Sequence, residues 1–281
     1  PKPLFFSILC FTHIYIRLVM SEDEISIEGD LFEEPEGFLP ERPSSHFSTY
    51  KRKIPNAEPQ EITMKLVGHN PLYGHLLWNA GIYTADYLDK HSDTLVQGKK
   101  ILELGAASAL PSLVCSLNHA KEVIVTDYPD PDLLSHMEYS FNDLKEKTKY
   151  ELSPWKVKGY IWGHDLGELL FDEPGRKLAE EEKFDLIILS DLVFNHSEHH
   201  KLLDTCRQSL KRNGGKCLVV FSPHRPYLLQ DDLSFFETAK QYQFKTEKIE
   251  MVTWKPMFEE DEETADIRAR VYAFFLIPEW E

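Results

Sequence analysis

The chain has 281 residues, 42% hydrophobic and 28% charged, and 47 acids against 31 Lys and Arg leave a net charge of −16. Such values exclude a wholly disordered or collagen-like chain, and the length supports a buried core without disulfides. The acidic excess argues against nucleic acid, a polyanion, as a partner and is compatible with a basic protein or peptide.

Residues 1–19 are apolar, but His13 and Arg17 interrupt them, so they fall short of the roughly 18 clean apolar residues of a spanning helix. No small-residue cleavage site follows. Met20-Ser21-Glu22-Asp23-Glu24 reads instead as an ordinary N-terminus. We expect Met20 to be the true start, with 1–19 as upstream sequence and no membrane partner; the rival reading is an anchor. Residues 20–60 are acidic and carry Pro35, Pro40, Pro43, Pro55 and Pro59, which predicts an extended arm. Residues 61–281 are expected to form one domain.

Within it, Pro71–His91 has helical spacing, with Gly81 as a possible break. From residue 99 strands and helices alternate. The strands are 99–105, 122–127, 155–162, 184–191 and 215–222. The helices cover 109–120, 131–149, 196–211 and 231–243, the third ending at Asn213-Gly214-Gly215. Such alternation implies a parallel sheet. The last two strands, 245–254 and 270–277, have no helical pattern between them, which predicts an antiparallel hairpin at one edge. Cys10, Cys115, Cys206 and Cys217 contain no CxxC pair, so neither a zinc motif nor a disulfide framework is read, and a reducing, cytoplasmic compartment is expected.

The turn after the first of these strands, Glu103-Leu104-Gly105-Ala106-Ala107-Ser108-Ala109, is built of small residues that let a ligand approach the backbone beside a helix N-terminus. Asp127 ends the next strand, 22 residues after Gly105, a spacing that suits a carboxylate on ribose hydroxyls. The dinucleotide fingerprint GxGxxG is not met, because Ala107 and Leu110 stand at its second and third glycine positions. A ligand with adenosine and a carboxylate but no phosphates fits better, and S-adenosylmethionine is one.

Four local patterns carry a resemblance: GHLLWNAGIYTADYL (74–88), LELGAASALP (102–111), Trp162-Gly163 and SDLVF (190–194). Together they resemble the seven-strand S-adenosylmethionine-dependent methyltransferases, in particular methyltransferase family 16, whose acidic-x-x-aromatic signature matches Asp191-Leu192-Val193-Phe194. The resemblance implies an α/β three-layer sandwich around a mostly parallel seven-strand sheet with the antiparallel edge hairpin. The segments LFEEPEGFLPE (31–41) and 50–81 are closer to the branch of that family that methylates the N-terminal glycine and adjacent lysine of translation elongation factor 1-alpha, once described as a nicotinamide N-methyltransferase. The family usually has glycine where this chain has Ala107 and Ala109.

The site expectations follow. Gly105, Ala106 and Ala107 would line the cofactor and Asp127 would bind its ribose; otherwise they are turn residues and a turn cap. Glu103 either supports the loop or meets the methionine amino group. Trp78, otherwise a core residue, lines the cofactor site by resemblance, where its ring would attract the sulfonium. Trp162 would cover the adenine, or is simply core. Ser190 would lie near the cofactor, or is an ordinary strand end. Asp191, at the carboxyl end of a parallel strand, would orient the acceptor amine. Asn195 is expected to cap the following helix, with Glu198 completing a capping box. His196, His199 and His200 lack HExxH spacing, so no metal is expected. Ser222–Pro226 is placed at the acceptor channel. Glu259–Glu263 is either a solvated loop or a recruiter of a basic peptide. Two other functions are weighed: methylation of a small amine such as nicotinamide, and a non-catalytic relative that binds a basic partner.

Overall fold

The computed structural model describes residues 43–71, 73–257 and 262–280. The expectations for 1–19, for most of the arm and for Glu259–Asp261 lie outside these residues.

The first two strands, β1 (His46–Lys51) and β2 (Glu61–Leu66), pair antiparallel as a small separate sheet. The chain then forms α1 (Asn79–Lys90), the single turn α2 (Ser92–Leu95), β3 (Lys100–Leu104), α3 (Leu110–Leu117), β4 (Glu122–Asp127) and α4 (Pro131–Lys147). Next come β5 (Trp155–Gly159), α5 (Leu166–Phe171), β6 (Leu186–Ser190), α6 (His199–Ser209), β7 (Lys216–Phe221) and α7 (Leu229–Gln241). The chain ends with β8 (Phe244–Thr253), the turn α8 (Ala265–Arg268) and β9 (Arg270–Pro278).

Strands β3 to β9 form one seven-stranded sheet in the order β5-β4-β3-β6-β7-β9-β8. The first five in that order run parallel, and β9 lies antiparallel between β7 and β8. Successive strand side chains point to opposite faces, so each central strand supplies two cores. Ile101, Val123, Val125, Ile188 and Val220 face α1, α3, α4 and the small sheet. Leu102, Leu104, Ile124, Ile187, Leu189 and Val219 face α5, α6 and α7. Both faces are covered, which is why these strands read as continuous apolar runs. The result is the expected three-layer α/β sandwich with an antiparallel edge.

Several details differ from the sequence reading, among them the helical spacing read over 71–91, which is helix only over Asn79–Lys90, and the strand read over 155–162, which ends at Gly159. Residues 46–51, assigned to the arm, are a strand held by pairing with Glu61–Leu66 and by contacts of Tyr50 and Arg52 with distant residues of α1, which no local pattern marks. Tyr50 Oη donates to Asp86 at 2.6 Å. Gly81 lies inside α1 and does not break it; the packing of Ala80, Tyr83, Ala85 and Leu88 outweighs the roughly 1 kcal/mol helix penalty of one glycine. The segment between β8 and β9 contains the turn α8. Asn195 makes no side-chain cap; its Oδ1 accepts from Ser197 Oγ at 3.2 Å, and a 3-10 turn, His196–Glu198, leads into α6.

One buried ion pair joins three of these segments. Arg52 Nε and Nη2 donate to the two oxygens of Asp89 on α1 at 2.9 and 2.7 Å, with side-chain exposures of 7% and 2%. Asn118, at the end of α3, donates to the same Asp89 at 2.8 Å. Arg52 Nη1 also reaches the carbonyls of Glu58 and Pro59. Replacing Arg52 by Met leaves a buried carboxylate uncompensated and should cost about 3–5 kcal/mol in urea unfolding. The double variant Arg52→Met/Asp89→Leu should recover part of that loss, and full additivity of the two single losses would show that the pair is not coupled.

Candidate active site at the carboxyl edge of the sheet

The strand register aligns the carboxyl ends of β3, β4, β6 and β7: Leu104 lies beside Leu189, Asp127 beside Gly159 and Ser190 beside Val220. The chain runs outward from β3 through β4 to β5, and from β6 to β7 in the opposite direction. The connections diverge between β3 and β6, and ligands of open parallel sheets bind in that crevice.

The turn after β3 is left-handed at three residues: Gly105 (φ 61°), Ala107 (φ 46°) and Ala109 (φ 57°). Only glycine takes such values freely, so the two alanines carry a cost on the order of 1–2 kcal/mol each. A Cβ on Gly105 would lie 2.5 Å from Leu192 Cδ2 and 3.3 Å from Trp162 Cζ2, so a side chain there would press on Leu192 and Trp162, which flank the turn. The turn is held from β4. Ala106 N–H donates to the Thr126 carbonyl at 3.0 Å, and Thr126 Oγ1 donates to the Glu103 carbonyl at 2.8 Å.

Asp127 Oδ2 accepts from Ala107 N–H at 2.7 Å and its Oδ1 from Tyr128 N–H at 2.6 Å. Burial raises its pKa, opposed by those two donors. Glu103, 1% exposed, accepts from Ser112 N–H at 3.1 Å and from the Ser112 hydroxyl, in the first turn of α3. Burial pushes its carboxyl up to about 8, although both Ser112 donors pull the other way. Glu103 thus ties the end of β3 to the first turn of α3.

On the β6 side, Ser190 Oγ lies 2.7 Å from Thr84 Oγ1, which ties the strand end to α1. Asp191 follows with φ 58°, a conformation uncommon outside glycine and frequent at functional sites. It is 7% exposed, its N–H donates to the Val220 carbonyl at 2.7 Å, and its Oδ1 accepts from Ser222 N–H at 3.0 Å. Its Oδ2 lies 2.9 Å from His224 Nε2. Burial acts against a charged His224, but the Asp191 carboxylate outweighs it, and the histidine pKa is raised. The His224 ring packs on Trp78 at a centroid distance of 4.7 Å. Trp78 Nε1 donates to the Tyr73 carbonyl, and Tyr73 meets Trp78 and Phe194 edge to face, both at 6.2 Å. Arg225 donates to the Phe194 carbonyl at 2.6 Å.

The structure thus brings Glu103, Gly105, Ala106, Ala107, Asp127 and Trp162 together on one side of the crevice, and Ser190, Asp191 and Trp78 on the other. Sequence reasoning missed Thr84, Leu192, Tyr73 and the pairing of Asp191 with His224. The last had a partial signal in Ser222–Pro226, but nothing local pairs residues 33 positions apart. The three histidines weighed as metal ligands are engaged elsewhere: His196 with Asp232 at 2.7 Å, His199 with the Val193 carbonyl, and His200 with Tyr242 Oη. Among the described residues no group of three or more His, Cys, Asp or Glu is placed to hold a metal ion, and no helix is long and apolar enough to cross a membrane.

A family model described as lysine methyltransferase, methyltransferase family 16, matches residues 57–242, more than half of the chain. The chain is 59% identical to the protein N-terminal and lysine N-methyltransferase EFM7 of Debaryomyces hansenii, covering 93% of this chain and 100% of that protein. It is 42% identical to the protein of the same name from Schizosaccharomyces pombe, over 87% of this chain and 93% of that one. Among solved structures, SMU.776 complexed with SAH shares the fold at a TM-score of 0.52 and 12% identity, covering 77% of this chain and 54% of that one. The chain belongs to the lysine methyltransferase family 16 and is a methyltransferase.

Proposed function

We propose that this enzyme transfers a methyl group from S-adenosylmethionine to the N-terminal glycine amine and the adjacent lysine of translation elongation factor 1-alpha, in the cytoplasm. The observation that carries the reading is the pairing, across one crevice, of a glycine turn backed by Asp127 with an acidic, aromatic-walled edge at Asp191, Trp78 and Phe194. The first suits an adenosyl ligand and the second a cationic amine. The relatives named as protein N-terminal and lysine methyltransferases support the acceptor class.

The residues fit the cofactor. The missing Cβ of Gly105 lets Trp162 and Leu192 close on the turn and brings the Trp162 ring beside it. Each Asp127 oxygen accepts one backbone N–H and retains capacity for a ribose hydroxyl. Trp162, beside Gly105, offers a face for the adenine, and Trp78 a ring for the sulfonium. When bound, the cofactor supplies an activated methyl on a positive sulfur. The protein's part is to align the amine in line with that methyl and to receive it unprotonated. A free α-amine has a pKa near ~8 and a lysine near ~10.4, so the α-amine is the easier of the two to neutralise.

Replacing Asp127 by Asn keeps an acceptor oxygen for Ala107 N–H, gives up the acceptor for Tyr128 N–H and removes the charge. Losing a charge-assisted hydrogen bond to ribose costs about 1.5–3 kcal/mol. Calorimetry should show at least a tenfold weaker affinity for S-adenosylmethionine with unfolding midpoints little changed; unaltered affinity would remove Asp127 from the site.

The net charge of −16, with five acids at Glu259–Glu263, suggests that charge helps recruit a basic protein segment. Attraction between exposed charges is screened over about 8 Å at physiological salt. The KM for the protein acceptor should rise with salt. Neutralising all five acids should raise KM at low salt and flatten that dependence while cofactor affinity stays the same; identical kinetics at every salt would leave the run a solvated loop.

A further inference from the structure

A nitrogen that attacks a methyl group must present a lone pair, yet near neutral pH both acceptor amines arrive largely as ammonium ions. Something at the acceptor edge must hold that cation and then accommodate the loss of its proton. Asp191 is the carboxylate placed for this, but it is not an isolated one. Its Oδ1 is committed to Ser222 N–H, and its Oδ2 faces His224 Nε2 at 2.9 Å, with both side chains largely buried at 6% and 16% exposure.

We propose that His224 is a positioning residue that acts through Asp191, a charge gate on the acceptor amine: protonated His224 neutralises Asp191, and only neutral His224 leaves it a net negative partner for the incoming ammonium. The inference rests on the amine-acceptor reading above and deepens it. With His224 an imidazolium, the pair has no net charge, and an ammonium beside it meets a second cation in a poorly solvated place. With His224 neutral, Nε2–H still donates to Oδ2 and fixes the carboxylate, but the pair carries one negative charge.

The proton balance is simple. One proton leaves His224 before the ammonium is held, and one leaves the ammonium to solvent. The amine lone pair then bonds to the methyl carbon as the carbon–sulfur bond breaks, and that electron pair stays on the cofactor sulfur. Two protons are therefore lost between low pH and the reacting complex, where an ungated site would lose one.

Charged groups from several parts of the chain act on His224. Asp191 faces it from the end of β6, Asp232 acts on it from α7, and Arg225 follows it in the chain. Asp232 is itself hydrogen-bonded to His196. Trp78, at the start of α1, packs on the ring and contributes no charge. The two carboxylates favour the imidazolium, and burial and Arg225 oppose it. The net effect raises the His224 pKa above its ordinary value.

The test uses recombinant elongation factor 1-alpha with an unmodified N-terminus as acceptor, and the full-length enzyme. In the wild type, log kcat/KM against pH should steepen at low pH toward a slope of about two, one step for the amine and one for His224. The variant His224→Gln keeps an N–H donor for Asp191 but cannot ionise, and its slope should stay near one over the same range. A second measurement needs no turnover. The imidazole of His224, followed by NMR in the cofactor-free wild type, should titrate in the pH range where the slope changes, and Asp191→Asn should move that transition down by about one pH unit or more. This measurement stands even if His224→Gln does not fold. Calorimetry should show the same cofactor affinity in both enzymes. A wild-type slope of one below the His224 transition, or a slope of two retained in His224→Gln, overturns the gate and leaves the acceptor reading standing. Absence of methyl transfer to the protein by the wild type at every pH overturns both.

Discussion

The site depends on a single constraint: loops that leave a buried sheet edge carry backbone N–H groups that must be paired. Beside backbone carbonyls, three carboxylates at the ends of three adjacent strands do this. Glu103, on β3, takes the Ser112 N–H of its own following helix. Asp127, on β4, takes Ala107 N–H from the neighbouring β3 turn. Asp191, just past β6, takes Ser222 N–H from the neighbouring β7 turn. Each acid fixes a loop that its own or an adjacent strand emits. The crevice is therefore built by the groups that would also bind ligands in it, and a substitution at any of them alters both the shape and the chemistry of the edge.

The sheet was legible in the sequence because its physics is local. Buried parallel strands such as Leu186–Ser190 are apolar on both faces, and each is followed by a helix with its own periodicity. What escaped notice depends on distant partners. Strand β1 is polar and alternates weakly; it exists because Glu61–Leu66 pairs with it and because Tyr50 and Arg52 find Asp86 and Asp89 on α1. Asn195 followed by Glu198 had the residues of a capping box, but the chain enters α6 through a 3-10 turn, and the Asn195 oxygen goes to Ser197 instead. A residue pattern gives the capacity for a cap, and the backbone path decides whether it forms.

The site divides in the same way. Gly105, Ala107 and Asp127 could be read together because a strand, a turn and the next strand place them within one unit of chain. The left-handed φ at Ala107 and Ala109 is one that glycine adopts at less cost, and the Asp127–Ala107 bond is one contact that holds an alanine there. The Asp191–His224 pair joins the ends of two different strands, so its signal in the sequence is only two separate short motifs. Nothing in either motif shows that the Asp191 backbone is left-handed or that its carboxylate is shared.

On the proposed reading the reaction brings two cations together, a sulfonium and an ammonium that must lose its proton. Two unit charges 4 Å apart repel by about 4 kcal/mol at an effective dielectric of 20, a dielectric typical of pairs near a protein surface. The crevice answers with negative and aromatic groups from both sides: Asp127 beside the glycine turn, Asp191 at the acceptor edge, and Trp78 and Phe194 in the wall between the strand ends and solvent. Excess negative charge would instead hold the amine in its protonated, unreactive form. The hydrogen bond between His224 and Asp191 and the burial of Glu103, which raises its carboxyl pKa, limit that excess. The edge is thus acidic enough to gather cations and restrained enough to let one of them become a nucleophile.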